Sequence, residues 1–159
     1  MKKYELTDET IQIGSRTLYR IKALTDFGDV AADELGGFVE SENILSNDGN
    51  AWVSDDAWVF GDARVFGDAR VFGNARVYGN ARVYGDADYI CVKGVGSEYR
   101  NTTFFKTANS GIQVNCGCFF GTLSEFIDAV NKTHGDNRYA KEYLAAIKMI
   151  KIHFEIEDE

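Results

Sequence analysis

The sequence predicts a mainly β protein: a parallel β-helix of short stacked strands, preceded by a β-hairpin and followed by a module of β-strands and two helices. Three observations support this. Residues 51–86 form six consecutive hexads, AWVSDD, AWVFGD, ARVFGD, ARVFGN, ARVYGN and ARVYGD, with no insertion. Ahead of them, Thr10 to Ile21 alternates around Gly14-Ser15. Behind them, β-rich runs separated by polar or Gly-rich turns give way to two stretches with helical spacing. A fixed internal period is read first, because each unit is one small element that buries its apolar face only by stacking on neighbours. The expected segments are 1–33, 34–92 and 93–159.

In the first segment, alternating residues on either side of a Gly-Ser turn read as a β-hairpin. A helix of stacked strands exposes unpaired edges at both ends, so this hairpin is expected to act as a cap or cover.

In the second segment, each hexad reads as a short Arg-Val-Phe or Arg-Val-Tyr strand and a Gly-Asp-Ala or Gly-Asn-Ala corner. Strand alternation points Val one way and its two neighbours the other. Gly accepts positive φ freely, and Asn or Asp better than most residues, so the chain can turn once per hexad. Three such turns close a triangle. A core of Val and Ala is thin, each buried Val contributing about 1.5 to 3 kcal/mol.

This pattern resembles the left-handed hexapeptide-repeat β-helix family. The resemblance implies that Val53, Val59, Val65, Val71, Val77 and Val83 point inward with Ala57, Ala63, Ala69, Ala75, Ala81 and Ala87. It also implies about 18 residues per coil, hence two coils from the hexads. A degenerate earlier coil, from Leu35-Gly36-Gly37-Phe38-Val39 and Leu45 to Asn50, brings the total to about three. At that spacing Asp56 lies near Asn74, Asp62 near Asn80 and Asp68 near Asp86. Trp52 lies on Arg70 and Trp58 on Arg76, pairs that permit cation–π contact, while Arg64 and Arg82 repel. Phe60, Phe66, Phe72, Tyr78 and Tyr84 point outward, with Trp58, Arg70, Arg76 and Arg82 beside them. Such rings are seldom left bare, so either the terminal segments or another copy of the chain covers them.

In the third segment, Tyr89-Ile90-Cys91-Val92, Thr102 to Phe105 and Ile112-Gln113-Val114 read as strands. Thr122-Leu123-Ser124-Glu125 is a capping box opening a helix that carries Phe126, Ile127 and Val130 inward and stops at Gly135. A second helix, from about Asn137 to Lys151, presents Tyr139, Tyr143, Leu144, Ile147 and Ile150 on one face. The segments Gly96-Ser97, Thr102 to Phe105, Cys116-Gly117-Cys118-Phe119 and Gly121 to Phe126, with Thr133-His134-Gly135, resemble a module of phage and prophage repeat proteins, and Leu35 to Ser41 resembles the entry segment of those proteins. That resemblance suggests a mobile-element origin and brings no activity with it.

No catalytic centre is expected. The hexapeptide fold is best known from acyltransferases, which place a His near a coil corner, whereas the only histidines here, His134 and His153, lie outside the repeat. Fold alone does not carry the activity. Gly94, Gly96, Ser97, Arg100, Thr102 and Thr103 offer amides, hydroxyls and a guanidinium to an anion, with His134 nearby in the module. An ordinary polar hairpin turn explains the first six better, and helix capping explains His134 better than a base role.

Cys91, Cys116 and Cys118 read as reduced, partly buried thiols, with no second pair to complete a zinc site. No metal or cofactor is expected. The net charge is -8, and the first 50 residues carry 5 basic and 10 acidic side chains, which argues against binding duplex nucleic acid. No apolar run is long enough to cross a bilayer, and no secretory leader is apparent, so a cytoplasmic protein is expected. The function expected is a non-enzymatic phage-type accessory binding protein. It is an oligomeric scaffold, dimer or trimer, that engages a host protein or sequesters a nucleotide-like anion, in a role that counters bacterial defence. The alternatives are a purely structural oligomer and an acyltransferase.

Overall fold

The computed structural model describes residues 2–73, 75–85 and 88–157. Expectations that rest on Asn74, Asp86 and Ala87 lie outside the described residues. The chain is mainly β with two helices, and its sheets are both parallel and antiparallel.

Strands β1 (Tyr4–Ile13) and β2 (Arg16–Ala23) form an antiparallel hairpin through Gly14, whose φ is 58°. It is longer than the alternation predicts, because a bulge between Leu6 and Thr10 breaks the pattern. β2 then pairs antiparallel with β3 (Leu35–Val39). β3 is the first rung of a parallel ladder through β5 (Trp58–Val59) to β8 (Arg76–Val77). The hairpin thus satisfies the ladder's open edge with backbone hydrogen bonds, which removes one of the two exposed ends.

Two more parallel ladders join β4 (Trp52–Val53) to β7 (Arg70–Val71) and β6 (Arg64–Val65) to β9 (Arg82–Val83). The three ladders enclose one core, in which all six repeat valines and Ala57, Ala63, Ala69, Ala75 and Ala81 have 0% exposure. We call this body the prism. Only the Arg-Val or Trp-Val pair of each hexad is strand, so the following aromatic sits past the strand end instead of within it. Gly61, Gly67, Gly73 and Gly79 turn the corners at φ between 65° and 71°, and in the first hexad Asp55 takes the same conformation at 54°. The Asp55 carboxylate accepts the Gly73 N–H at 2.9 Å, which ties two stacked corners together.

Stacked rungs are 18 residues apart for Trp52 and Arg70, Trp58 and Arg76, and Arg64 and Arg82. The first turn is longer, since Phe38 pairs with Trp58 and Leu45 with Val65, 20 residues apart. The two extra residues therefore fall between Leu45 and Trp52. Lys3 holds that enlarged corner: its N–H donates to Asn47 Oδ1 at 3.0 Å and its ammonium to the Ala51 carbonyl at 2.7 Å. Burial, with Arg70 adding to it, lowers the Lys3 pKa to about 8.

Trp52 stacks on Arg70 in register as expected, but it does not lie on the surface. It is fully buried, with the rings of Tyr4 and Phe27 edge-on at 6.4 and 5.3 Å, while Arg70 pairs with Asp29. The N-terminal segment supplies apolar cover there, which a pairwise reading of the repeat does not reveal.

The opposite end of the prism is closed by a four-stranded antiparallel sheet of β10 (Tyr89–Val95), β11 (Arg100–Lys106), β12 (Ile112–Cys116) and β13 (Phe119–Thr122). The strand β13 goes beyond the three that the sequence predicts, since Gly121 weakens its local signal. Alternation splits the sheet into two faces. Tyr89 and Phe105 enter the prism core, whereas Phe104, Val114 and Cys116 pack with the helices. Thr103 Oγ1 accepts the Arg76 N–H, Asn115 Nδ2 donates to the Arg76 carbonyl, and the Ala108 N–H donates to the Asn80 carbonyl, so the docking is polar as well as apolar.

Helix α1 (Leu123–His134) starts at the predicted capping box, with Thr122 and Glu125 satisfying each other's backbone amides, and ends at Gly135. Helix α2 (Arg138–His153) is capped by Asn137. Its buried face is Ala140, Tyr143, Ile147 and Ile150. Leu144 is exposed, contrary to the expected face, because Ala140 and Ile147 define a stripe one position away. Likewise Leu123 takes a buried place on α1 and Ile127 lies at the margin. Cys118 is exposed, whereas Cys116 is buried and Cys91 half-buried; all three are free thiols. No helix among the described residues is long and apolar enough to cross a membrane.

Candidate functional site: a cationic, ring-walled cleft

The outward aromatics meet different fates on the three faces. On the β3–β5–β8 face, Phe60 and Tyr78 stack at 4.6 Å with an interplanar angle of 9°. The hairpin lays Ile11, Ile13 and Leu18 over Phe38, Phe60 and Trp58 from one side. From the other, Phe120 of β13 stacks on Tyr78 at 4.4 Å. On the remaining faces Phe66 packs on Tyr84, yet Tyr84 stays 63% exposed and Phe72 55%.

Between the hairpin and the C-terminal sheet, the covered face leaves an open cleft of about 470 Å³. Its walls are Trp58, Phe60 and Tyr78 from the prism, Ile13 from the hairpin and Tyr99 from the β10–β11 turn. Its polar groups are Arg76, Lys93, Arg100, Asn101 and Asn115, three of them cationic, and among the described residues no carboxylate lines it. In a protein with a net charge of -8, this is a local reversal of sign.

Local structure places each group. Arg76 stands one rung from Trp58, and its guanidinium lies 3.7 Å from the ring centroid. Burial lowers the Arg76 pKa, with Cys91 and Asp56 opposing that shift. Burial pushes the Tyr78 phenol up to about 12, so it is a neutral donor at physiological pH. Arg100 crosses the β12–β13 turn above Gly117, where a Cβ would come within 2.4 Å of its Nη1. The glycine of Cys116-Gly117-Cys118 therefore seats a guanidinium and does not mark a metal site. Tyr99 occupies the tight turn with φ at 51°, a conformation that non-glycine residues adopt at a cost, and is 65% exposed. Rings, guanidinium groups and carboxamides together suit a planar, negatively charged ligand.

The residues nominated from the sequence divide between places. Gly96 donates its N–H to the Glu142 carboxylate at 2.9 Å, so a protein carboxylate already occupies that amide. Thr102 is buried on the helix side and donates to Cys116 Sγ, whereas Thr103 points to the prism. Ser97 is exposed at the turn. His134 stacks on Tyr143, 5.9 Å between centroids, within the helical layer. Of that set only Arg100 reaches the cleft, joined by Trp58, Phe60, Arg76 and Tyr78 from the outward residues of the repeat. Arg82 instead bonds the Asp62 carbonyl at 2.7 Å. Lys93, Tyr99, Asn101 and Asn115 have no sequence motif. Alternation along β10, β11 and β12 is the signal that puts Lys93, Asn101 and Asn115 on the prism-facing side. Among the described residues no group of three or more His, Cys, Asp or Glu is placed to hold a metal ion.

Comparison with known proteins agrees with the repeat. The YdcK β-solenoid repeat model matches residues 63–77 and 75–87. Over 63 residues the chain is 33% identical to a protein of Escherichia coli (strain K12) named Uncharacterized acetyltransferase YdcK, a match that takes in 35% of this chain. It spans 19% of that relative's length. The central segment is thus a β-solenoid repeat similar to that of YdcK.

Proposed function

We propose that the protein is a non-enzymatic binding protein whose solenoid and C-terminal sheet together hold a small anionic ring compound of the nucleotide class. The observation that carries this reading is the cleft itself: three cations and four aromatic rings converge, with no lining carboxylate among the described residues. Cation and ring recognition act together on such a ligand, the charge fixing the phosphate and the rings the base. The solenoid is read as a left-handed β-helix of about three coils, supported by 18-residue stacking on three parallel ladders. Self-association belongs to the same reading, with the exposed rings of Phe72 and Tyr84 as the surfaces that fit a second copy. A cytoplasmic role against bacterial defence suits a ligand-sequestering scaffold.

Titration with nucleoside monophosphates, followed by thermal unfolding, tests the proposal. Binding raises the Tm of the native protein, by mass action, and Trp58→Ala or Arg100→Ala abolishes the rise. No rise with any nucleotide overturns it.

Acyl transfer is the second reading, favoured by the name of the Escherichia coli relative. Coenzyme A carries an adenine nucleotide and fits the same cleft chemistry. The chain's histidines lie on α1 and α2 instead of the cleft walls. Consumption of acetyl-coenzyme A in the presence of an acceptor amine or hydroxyl would establish that reading.

A further inference from the structure

The β10–β11 turn, residues 96–99, contributes Tyr99 to the cleft wall. Tyr99 has a φ of 51°, a conformation that glycine adopts freely and a bulky side chain does not. Among the described residues the other non-glycine positions with positive φ are Asp33, Asp55, Ser110 and Glu155, so Tyr99 is the one aromatic residue held there. Packing of its ring does not compensate. The residue is 65% exposed, and among the described residues its ring stacks on no other ring. Its N–H donates to the Gly96 carbonyl at 3.4 Å, a bond that any residue but proline could make. The fold therefore gains nothing from a tyrosine that a glycine would not supply with less strain.

The turn is also held in place from behind. The Gly96 N–H donates to the Glu142 carboxylate at 2.9 Å, and the Tyr143 hydroxyl donates to the Val95 carbonyl at 3.3 Å. That hydroxyl lies so close to Gly96 that a Cβ there would collide with it. Helix α2 thus fixes the turn, and Arg100, the next residue, lies over Gly117. A ring and a guanidinium from successive residues line the cleft on one anchored support. Strained backbone persists where its surroundings over-determine it, and it clusters at ligand clamps. We infer that Tyr99 grips the base of the ligand: the base stacks on the Tyr99 ring while the phosphate pairs with Arg100. The inference rests on the nucleotide reading above and assigns the contact that favours a base-bearing ligand over phosphate alone.

Calorimetric titration with AMP, CMP, GMP and UMP tests it, on the native protein and on Tyr99→Phe, Tyr99→Leu and Tyr99→Gly, with the Tm of each measured without ligand. For the nucleotide that binds tightest, Tyr99→Phe keeps the affinity within about threefold, whereas Tyr99→Leu and Tyr99→Gly each lose about tenfold, since only they remove the stacking face. Without ligand, Tyr99→Gly raises the Tm by about 2 to 4 °C, because the strain is relieved and little packing is lost. Undiminished affinity in Tyr99→Leu and Tyr99→Gly, or a Tm lowered by Tyr99→Gly, overturns the clamp and leaves the nucleotide reading standing. Binding of none of the nucleotides by the native protein overturns both.

Discussion

The Arg76 guanidinium lies 3.7 Å from the Trp58 ring centroid, and the two residues are partners in adjacent rungs of one ladder. Stacking of hexads in one frame therefore creates this pair, but only where the second position of one hexad is Trp instead of Arg. Replacing Trp58 with Arg would put two guanidinium groups on neighbouring rungs, as Arg64 and Arg82 already are. Trp58→Arg is expected to destabilise the protein and abolish ligand-dependent stabilisation, whereas Trp58→Phe retains part of both. Thermal unfolding with and without nucleotide reads the two effects separately.

Val59 is fully buried, between Val39 and Val77 in the same ladder. Val59→Ala opens a cavity in a core that has only small neighbours to collapse into it. A loss of roughly 1 to 3 kcal/mol in urea unfolding is expected.

Gly73 and Gly49 separate two costs of a corner. Both have positive φ, but a Cβ at Gly73 meets nothing within 4 Å, whereas one at Gly49 meets the Gly67 carbonyl oxygen at 2.5 Å. Gly73→Ala should cost the backbone term alone, about 1 to 2 kcal/mol. Gly49→Ala should cost clearly more, and equal losses in chemical denaturation would contradict the steric difference.

The capping box at α1 gives a local test of the C-terminal module. Thr122 Oγ1 accepts the Glu125 N–H at 3.2 Å, and the Glu125 carboxylate accepts the Thr122 N–H at 2.8 Å. Thr122→Ala should lose about 1 kcal/mol, while Thr122→Ser should be close to neutral. Helicity by circular dichroism and the unfolding midpoint check this.

Stability should depend on alkaline pH in two opposite steps. Lys3 is lowered from 10.5 to about 8 by burial, so the unfolded chain binds the extra proton between those values and stability rises across that range. Tyr4 and Tyr78 are raised from 10.0 to about 12, chiefly by burial. For them the folded chain holds the extra proton, so their contribution is intact below pH 10 and is lost as pH rises towards 12. Tyr143 shifts in the same direction, from burial and its contact with Cys116. Urea midpoints measured from pH 7 to 11 should reach a maximum near 10, and Tyr78→Phe should flatten the descending limb.

The repeat is legible in the sequence because six units share one frame and each position has one environment. Val, Ala and the corner glycines follow directly from it. The helices are legible too, since Thr122, Glu125, Gly135 and Asn137 punctuate them with local chemistry. The cleft is less so. Arg76 and Trp58 are foreseeable as a stacked pair, but Lys93, Asn101 and Asn115 reach it only through the docking of one sheet face on the prism, a nonlocal event. Trp52 shows the same limit: its hexad position points it outward, and Tyr4 and Phe27, far away in sequence, enclose it.

The distance along the chain from hairpin to closing sheet has a phase as well as a length. With three ladders and rungs 18 residues apart, adding or removing one hexad would turn the sheet by a third of a circle relative to the hairpin. The two walls would then stand over different faces, each still folded, with nothing between them to share. Adding or removing three hexads would change the height of the prism and keep its bearing. Lineages of this architecture are therefore free to lengthen or shorten in steps of eighteen, and a change of any other size would separate the cleft into two unrelated surfaces.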